Sequence, residues 1–322
     1  METKIDINKI KGAMAAAAIG GALGNPSGLL TDDVQMALFT AEGLILSQVR
    51  SDYRDQDDVT EPVFHSLLRW LYTQQVHMMG DLVNTFGTCA VQDGILMGHK
   101  ELFSLRNPSD TCLEVLTSGK MGTLEYPPNS AEGPGALART LPVGLAFSDA
   151  KTAFDQGCKT AAITHGHPDA ILSSGFFAAL LSQIFTGQPL SWAMTGAMNI
   201  LKSSPDHNSV SDTVEKVSHL STSADPLPDA INQHFNKRSA VHVLGAGLFC
   251  ALCYQNNLNR GLLLSVDHSG SIDETGAVAG AILGALNGYD ALPVQLLTGL
   301  ELKEVILEIA TDIFERFHQP VE

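Results

Sequence analysis

Residues 12–24 read Gly-Ala-Met-Ala-Ala-Ala-Ala-Ile-Gly-Gly-Ala-Leu-Gly and belong to an Ala-rich run, 7–23, that decides the fold. Small side chains let two helices approach closely, so the run predicts a helix that packs tightly against another helix. The preceding Lys9 and Lys11 imitate the charged start of a secretory signal peptide. Leucine occurs only once in the stretch, however, and the chain continues into an acidic motif, which favours a helix of the folded protein.

Helical periodicity extends along the rest of the chain. Val34, Leu38, Ala41 and Leu44 recur at helical spacing, and no strand-like alternation persists elsewhere. Helices are predicted over 31–49, 63–76, 137–146, 150–163, 168–185, 192–201, 211–219, 241–254, 259–266, 274–287 and 300–317. The most loop-like regions are 50–62 and 126–134. They do not resemble domain linkers, because motifs from both ends of the chain are needed for one site. The sequence therefore predicts one all-α domain spanning residues 1–322.

Composition excludes several classes of protein. The formal net charge is −16, from 35 acidic and 19 basic residues. Because nucleic-acid and anionic-membrane surfaces need clustered Lys and Arg, we expect no nucleic-acid partner and no membrane. The charge is compatible with a divalent-cation site, a basic partner or simply an acidic soluble surface. Cys250 and Cys253 lie in an apolar helical run, which favours a buried pair, and free thiols fit a reducing, cytoplasmic compartment.

Two acidic clusters, one near each end of the chain, open helical patterns. The first is Thr31-Asp32-Asp33 and the second includes Asp273-Glu274. Carboxylates and hydroxyls at helix starts can converge on hard cations such as Mg²⁺, which take oxygen ligands. The same residues also serve as ordinary helix caps, with Thr31 as the N-cap and the two carboxylates in the first turn. Both interpretations stay open on these grounds.

Two further segments carry clustered polar groups. A Gly/Pro loop covers residues 129–135, and its exposed backbone amides could hold phosphate oxygens, although a plain loop explains it as well. His165-Gly166-His167 stands just before a predicted helix that begins at Pro168. These imidazoles could donate to a phosphate or ribose, or carry a proton. Alternatively, they cap neighbouring carbonyl groups.

Together these motifs resemble the signatures of the ADP-ribosylglycohydrolase family, in the family's order and over roughly residues 10–290. The resemblance implies a compact orthogonal multi-helix bundle with a central cleft that holds two divalent cations, usually Mg²⁺ or Mn²⁺. Hydrolysis of the glycosidic bond between ADP-ribose and a modified protein side chain, often arginine, is the implied activity. The segments that carry the resemblance are 18–27 with 31–33, 70–74, 106–113, 129–135 with Arg139 and Pro142, 164–168 and 268–280.

The resemblance also assigns roles to residues of this chain. Asp33 and Asp273 are the predicted catalytic residues, because either would position the attacking water. The partner is ADP-ribose or an ADP-ribosylated protein. The predicted metal ligands are Thr31, Asp32, Asp33, Asp273 and Glu274, and the predicted ADP-ribose contacts are Asn129, Gly133, Gly135, His165, Gly166, His167, Ser269, Gly270 and Ser271.

Departures from the family pattern concentrate in the second cluster. Similar family members read H-S-G-D-S-D-S-T-G where residues 268–276 read H-S-G-S-I-D-E-T-G. A metal-binding Asp has therefore become Ser271, and a ligating hydroxyl has become Glu274. The first motif also lacks the Glu that usually follows its Pro, since Pro26-Ser27 is followed by Gly28.

Two interpretations of the altered cluster compete. In one, Glu274 replaces the carboxylate lost at position 271 and the metal site survives. In the other, which we favour, Ser271-Ile272-Asp273-Glu274 is an S-x-x-E capping box that needs no metal. The expected cofactor is one or two Mg²⁺ or Mn²⁺ ions, with one weakly held cation as the central expectation and none if the site is degenerate. A degenerate member would bind ADP-ribose or a partner protein, such as a toxin or target protein, as an inhibitor or immunity-type protein.

Overall fold

The computed structural model describes residues 5–49, 58–74, 79–223 and 228–319, and within these ranges it contains helices and no strands. The fold is the all-α multi-helix bundle that the sequence predicts. Its α-helices are α1 (Ile7–Gly24), α2 (Asp32–Val49), α3 (Thr60–Thr73), α4 (Met79–Phe86), α5 (Thr88–Val91), α6 (Asp110–Thr117), α7 (Leu141–Ala146), α8 (Ala150–Ala162), α9 (Pro168–Phe185), α10 (Leu190–Leu201), α11 (Asn208–Ser223), α12 (Pro228–His234), α13 (Ala240–Cys253), α14 (Leu258–Ser265), α15 (Ile272–Asn287), α16 (Val294–Thr298) and α17 (Lys303–His318). Short 3₁₀ turns lie at Ile95–Gly98, Lys100–Leu102, Pro134–Ala136, Ala138–Thr140 and Tyr289–Ala291.

Helices α1 and α15 form the closest contact of the bundle. A Cβ atom on Gly20 would lie 1.9 Å from the backbone oxygen of Gly276, and one on Gly284 would lie 2.0 Å from the oxygen of Gly12. Only residues without side chains allow two backbones to approach this far. The close packing predicted for the Ala-rich run is therefore confirmed, and its partner is the helix that carries the second acidic cluster.

Helix α9 occupies the centre of the bundle. Helices α7, α8, α10 and α13 pack against it, and its apolar residues are buried almost throughout. Among the described residues it is the one helix long and apolar enough to cross a membrane, but 83 % of it is buried inside the protein. Burial on all sides is what a core helix requires, and it explains why this helix lacks a polar face.

A buried ion pair joins α2 and α3. Glu42 Oε2 accepts a hydrogen bond from Arg69 Nε at 2.7 Å, and its Oε1 accepts the backbone N–H of Leu96 at 2.9 Å. Arg69 Nη1 donates to the carbonyl oxygen of Ala90 at 3.0 Å. Because both charges are enclosed, removing one partner leaves the other uncompensated. This pair therefore fixes the segment around residues 90–96 against the two helices.

Most predicted helices are present with shifted ends. The prediction for 168–185 coincides with α9, whereas the predicted helix 137–146 is interrupted. A 3₁₀ turn, Ala138–Thr140, precedes α7, because Pro142 lacks an N–H group and its ring clashes with the carbonyl of the preceding turn. Part of the predicted loop 50–62 is helical, since α3 begins at Thr60, and residues 50–57 lie outside the described residues. Of the cysteine pair predicted to be buried, Cys250 is buried on α13 but Cys253 is only partly buried, and both are free thiols.

Candidate active site

The start of α2 keeps the capping geometry that the sequence predicts. Thr31 Oγ1 accepts a hydrogen bond from the backbone N–H of Val34 at 3.3 Å. Asp32 and Asp33 occupy the first turn, where the helix dipole favours negative charge. Asp33 is buried, with 5 % of its surface exposed, and Asp32 is partly buried. This helix start therefore presents two carboxyl groups toward the interior of the protein.

The start of α15 is held beside the end of α1. A Cβ atom on Gly24 would lie 2.6 Å from Cα of Asp273, so the contact between these helices determines where that carboxyl group sits. Ser271 occupies the N-cap position, and its backbone oxygen accepts the N–H of Thr275 at 3.0 Å. Its side chain, however, makes no capping hydrogen bond.

The favoured capping-box interpretation is therefore wrong. A capping box requires Glu274 to return to the backbone of Ser271, but this carboxyl group hydrogen-bonds with Asp273 instead. The physical reason is the neighbourhood: Glu274 is partly buried and interacts with the carboxyl groups of Asp273 and Asp32. Glu274 thus joins the carboxyl cluster defined by Asp32, Asp33, Asp273 and Glu274.

Burial and mutual repulsion dominate the electrostatics of the carboxyl cluster. Burial, reinforced by Asp273, raises the pKa of Asp32 to about 7. Burial also raises the pKa of Asp33 well above its usual range, with Asp32 and Glu274 adding to the effect. For Glu274, burial and the hydrogen bond with Asp273 raise the pKa to about 9. At neutral pH the cluster must hold protons or a cation, because closely placed carboxylates cannot all ionise.

The donor set of the cluster suits a hard cation, since it consists of carboxylate and hydroxyl oxygens. Thr275 supports this fit, because its Oγ1 is fully enclosed without a hydrogen-bond partner at the same helix start. The cluster is nevertheless open: its members do not provide three ligand atoms within 4.8 Å of one another in the part of the chain that the structure describes. Binding of a cation would therefore require carboxyl groups to move together.

A tighter group of potential ligand atoms lies elsewhere. Glu132, His167 and Asp169 bring their ligand atoms within 4.8 Å of one another. His167 is the N-cap of α9, and its Nδ1 accepts the backbone N–H of Asp169 at 3.1 Å. In the neutral ring the proton then resides on Nε2, which opposes coordination through that nitrogen. The group is better explained as a hydrogen-bonded helix cap than as a metal site.

Asn129 and Gly166 connect the two polar loops. Asn129 Nδ2 donates to the carbonyl oxygen of Thr164 at 2.9 Å, and its Oδ1 accepts the N–H groups of Ala131 and Gly166 at 3.0 and 3.1 Å. A Cβ atom on Gly166 would lie 2.0 Å from the backbone oxygen of Asn129, so only glycine fits there. Both residues were predicted to contact ADP-ribose. The structure uses their polar groups to hold the loops together.

His165 lies beneath the glycines of the first loop. A Cβ atom on Gly133 would lie 3.8 Å from His165 Nε2, and one on Gly135 would lie 3.6 Å from Cε1 of the same ring. Burial, reinforced by Arg139, lowers the pKa of His165 to about 3. The ring is therefore neutral at physiological pH. Its Nδ1 bonds to the hydroxyl of Thr164 at 2.9 Å, so neither histidine of the motif uses Nδ1 to cap a carbonyl group.

Ser109 links the carboxyl cluster to the glycine loop. Its backbone N–H donates to Asp32 and lowers the pKa of that group, which partly offsets burial. Its Oγ caps α6 by accepting the N–H of Cys112 at 3.4 Å. A Cβ atom on Gly135 would lie 3.5 Å from the same Oγ. Ser109 thus connects the carboxyl cluster with the loop over His165, and the two lie next to each other.

The segment before α15 is fixed from another direction. The backbone N–H and Oγ of Ser269 both donate to Asn232 Oδ1 at 2.8 Å, and the N–H of Gly270 donates to His268 Nδ1 at 3.0 Å. Ser271 is buried at the helix start. Of these predicted ligand contacts, Ser269 is therefore attached to α12 and Ser271 lies beside the carboxyl cluster.

Sequence reasoning did not identify Glu301 as part of the site. Its Oε2 accepts the backbone N–H of Leu30 at 3.0 Å, immediately before the first acidic motif. Its Oε1 forms an ion pair with Arg106 Nη2 at 2.7 Å, and Arg106 Nε donates to Ser104 Oγ at 2.8 Å. Glu301 thereby fixes both the approach to α2 and the loop before α6. No local pattern signals this, because the partners are far apart in the chain.

Comparison with known proteins agrees with this architecture. Residues 2–321 match the family described as ADP-ribosylglycohydrolase. Among solved structures, the chain is similar to a chain of an "ADP-ribosylglycohydrolase-related protein complex", with a TM-score of 0.65 and 20 % sequence identity over 96 % of this chain and 98 % of that one. At this identity the likeness shows the fold alone. No curated protein matches the sequence significantly.

Proposed function

Because the chain belongs to the ADP-ribosylglycohydrolase family, we propose that it hydrolyses the glycosidic bond between ADP-ribose and a modified protein side chain, arginine foremost. The observation that carries this proposal is the convergence of two helix starts on one carboxyl cluster. Asp33 and Glu274 interact there across the interior although they come from opposite ends of the chain. Four carboxyl groups in one partly buried place are not needed to begin a helix. Metal-assisted hydrolysis does need carboxylates, which hold a cation and accept a proton from water.

We further propose that Mg²⁺ or Mn²⁺ binds at the cluster. Thr31, Asp32, Asp33, Asp273 and Glu274 would hold one or two ions, with Glu274 supplying the carboxylate that position 271 lacks. When bound, such a cation orients ribose hydroxyls and lowers the pKa of a water molecule. Metal binding also relieves the repulsion that keeps protons on the cluster.

The chain's own residues complete the reaction. Asp33 or Asp273 positions the attacking water against the anomeric carbon and accepts its proton. As the water oxygen bonds to that carbon, the glycosidic C–N bond breaks, and the departing guanidine nitrogen takes up the proton that the carboxylate received. The backbone of Gly133 and Gly135 and the Nε2 edge of His165 hold the diphosphate or ribose, because backbone amides and a neutral N–H group suit anionic and hydroxyl oxygens. These contacts place the glycosidic bond between the loop and the cluster.

The direct test measures release of free ADP-ribose from an ADP-ribosylated arginine substrate in Mg²⁺ or Mn²⁺. We expect turnover by the wild-type protein and a loss of more than ~100-fold in the turnover rate of Asp33→Asn. This exceeds the ~10–100-fold effect that is typical when a residue only supports a metal ligand. Asp81→Asn is the matched control, because Asp81 is an exposed carboxylate on α4 and should leave turnover unchanged. Absence of any release over a wide range of both cations would contradict the proposal.

A second candidate is a family member that binds without hydrolysing. Two observations favour it: Ser271 stands where a carboxylate is expected, and the cluster oxygens are more widely spaced than those of Glu132, His167 and Asp169. Such a protein would bind ADP-ribose or a partner protein, for example a toxin or target protein.

Calorimetry separates the two candidates. Hydrolysis requires cation binding to the wild-type protein, whereas the binding candidate predicts tight ADP-ribose association without it. The repaired variant Ser271→Asp with Glu274→Ser should gain at least ~10-fold in Mg²⁺ affinity, about 1.4 kcal/mol, and turnover should follow. Continued inactivity of the repaired variant would show that more than the metal site has changed.

A further inference from the structure

A chain of hydrogen bonds runs behind the ligand-facing side of His165. Arg139 Nη2 donates to Thr164 Oγ1 at 2.7 Å, and this hydroxyl lies 2.9 Å from His165 Nδ1. Arg139 and Thr164 are fully buried and His165 is 1 % exposed. Two carbonyl oxygens, of Thr160 and Ala161, anchor the same Nη2 at 3.1 and 3.3 Å. The guanidinium group therefore cannot turn away from the hydroxyl without losing several bonds.

The donor and acceptor properties of Arg139, Thr164 and His165 determine where each proton lies in this series of hydrogen bonds. A guanidinium group only donates, so Thr164 Oγ1 must accept from Arg139, and its own proton is free for another acceptor. The candidates are His165 Nδ1 and the thiol of Cys112, which also interacts with this hydroxyl. An imidazole nitrogen is a strong acceptor and a thiol sulfur a weak one. The hydroxyl proton consequently goes to Nδ1, which leaves the single ring proton on Nε2.

We propose that Arg139 and Thr164 are positioning residues that fix His165 in the neutral Nε2–H tautomer, so that the Nε2 edge beneath Gly133 donates a hydrogen bond to a ligand and takes up no proton. The identity of the ligand rests on the function proposed above, whereas the tautomer does not. Arg139 and Thr164 are both fully buried behind the ring, and Arg139 also interacts electrostatically with Cys112 and Asp33.

The open edge of the ring is where a ligand would need a donor. Nε2 has no hydrogen-bond partner among the described residues, and unlike the nearby Thr160 Oγ1 it is not fully enclosed by the protein. Glycines at 133 and 135 place no side chain over it. Burial and the Arg139 charge disfavour the imidazolium form, and they lower the pKa of His165 to about 3.

A donor of fixed direction selects the class of ligand atom. Phosphate oxygens and ribose oxygens accept from a neutral N–H group, whereas an ammonium or amide N–H group of a ligand finds no acceptor there. The arrangement also excludes His165 as the general base, because its lone pair faces Thr164 and is already occupied. Proton removal from water is thereby left to the carboxyl cluster.

The first experiment reads the tautomer directly, in the ligand-free protein. Nitrogen-15 NMR of the histidine side chains distinguishes a protonated ring nitrogen from one that carries a lone pair, and the His165→Gln variant identifies the signals of this ring. We expect a lone pair on Nδ1 and a proton on Nε2, unchanged between pH 5 and 8. A proton on Nδ1, or titration within that range, would overturn the proposal.

The second experiment compares variants at position 164. Thr164→Val removes the hydroxyl at nearly constant shape, so both tautomers should become populated and the affinity for ADP-ribose should fall about tenfold. Thr164→Ser restores the hydroxyl and should restore both readouts. Thr160→Val is the matched control, because the Thr160 hydroxyl is equally buried and has no partner, and it should leave the His165 signals unchanged.

The outcomes separate this inference from the proposed function. A tautomer that stays fixed in Thr164→Val would overturn the role of Thr164 and Arg139 whether or not the protein binds ADP-ribose. If the wild-type protein shows the expected tautomer but neither binds nor hydrolyses ADP-ribosyl compounds, the positioning role holds and the proposed function fails.

Discussion

The starts of α2 and α15 carry similar sequences but use them differently. At α2, the hydroxyl of Thr31 caps the helix and the carboxyl groups of Asp32 and Asp33 remain available. At α15, the hydroxyl of Ser271 makes no capping bond, and Glu274 pairs with Asp273 instead of closing a capping box. The start of α2 is stabilised by its own capping hydrogen bond, whereas the start of α15 is stabilised by interactions with the other carboxyl groups of the cluster.

This difference teaches that a capping motif is conditional on its surroundings. An S-x-x-E pattern contributes about 1 kcal/mol in isolation, which is small beside the effect of placing a carboxyl group among three others in a partly buried site. Where the two compete, the long-range electrostatic interaction decides. The α15 start therefore acts as half of a shared site rather than as an independent helix end.

The largest expected effect comes from separating the two starts. Gly20→Ala would place a methyl group 1.9 Å from the backbone oxygen of Gly276, and backbone cannot move aside as a flexible side chain does. We expect a loss of ~3 kcal/mol or more in the free energy of unfolding, at the upper end for overpacked sites. Urea denaturation monitored by circular dichroism measures it.

The matched control for this change is Gly80→Ala. Gly80 lies in α4 with nothing near its hypothetical Cβ, so alanine should stabilise the helix by ~0.5–1 kcal/mol. Equal stability of Gly20→Ala and the wild-type protein would mean that α1 and α15 do not meet as closely as described.

The next effect is a pH dependence that originates at both starts. The pKa values of Asp32 and Glu274 rise from ordinary values of 3.8 and 4.5 to about 7 and about 9. Between these limits the folded protein holds protons that the unfolded chain has released, so the free energy of unfolding falls as pH rises. In a chelator, thermal unfolding should therefore occur at a lower temperature at pH 9 than at pH 5.

Two comparisons sharpen this prediction. The double variant Asp32→Asn with Glu274→Gln should flatten the dependence, because neither side chain can ionise. Saturating Mg²⁺ should restore much of the stability at high pH, since a cation stabilises the ionised cluster. Unfolding temperatures that rise from pH 5 to pH 9 in chelator would contradict the assigned direction of the shifts.

The smallest effect distinguishes the two caps directly. Thr31→Ala removes a hydroxyl that accepts the Val34 N–H group and should cost about 1 kcal/mol. Ser271→Ala removes a hydroxyl without a capping bond and should stay within about 0.5 kcal/mol of the wild-type protein. Both are measured by denaturation in chelator, so that cation binding does not contribute. Equal losses would restore the capping box at α15.

Local patterns allowed much of the fold to be predicted. Helix α9 begins at Pro168 and ends just before Gly187, in agreement with the predicted helix 168–185. Such ends can be predicted because helix termini depend on neighbouring residues. Short helices such as α4 and α5 were missed, since eight and four residues are too few for a clear periodicity.

The candidate site was predictable only in part. Thr31 and the carboxyl groups were identified from their motifs, and the structure brings the latter together. The loop-fixing role of Asn129, the bridge made by Glu301 and the bonds from Arg139 to Thr164 depend on partners that are distant in sequence. Tertiary contacts of this kind leave no periodic signal in a single chain.

The contact between α1 and α15 also sets an order of events during folding. The first helix leaves the ribosome early, but the glycine-lined groove into which it fits is synthesised near the end of the chain. Because closing so long a loop is slow and local contacts cannot substitute for it, the Ala-rich helix must wait with its apolar surface unpaired. Chaperone occupancy of this helix on stalled nascent chains should therefore persist until α15 emerges, and the candidate active site should assemble only after that point.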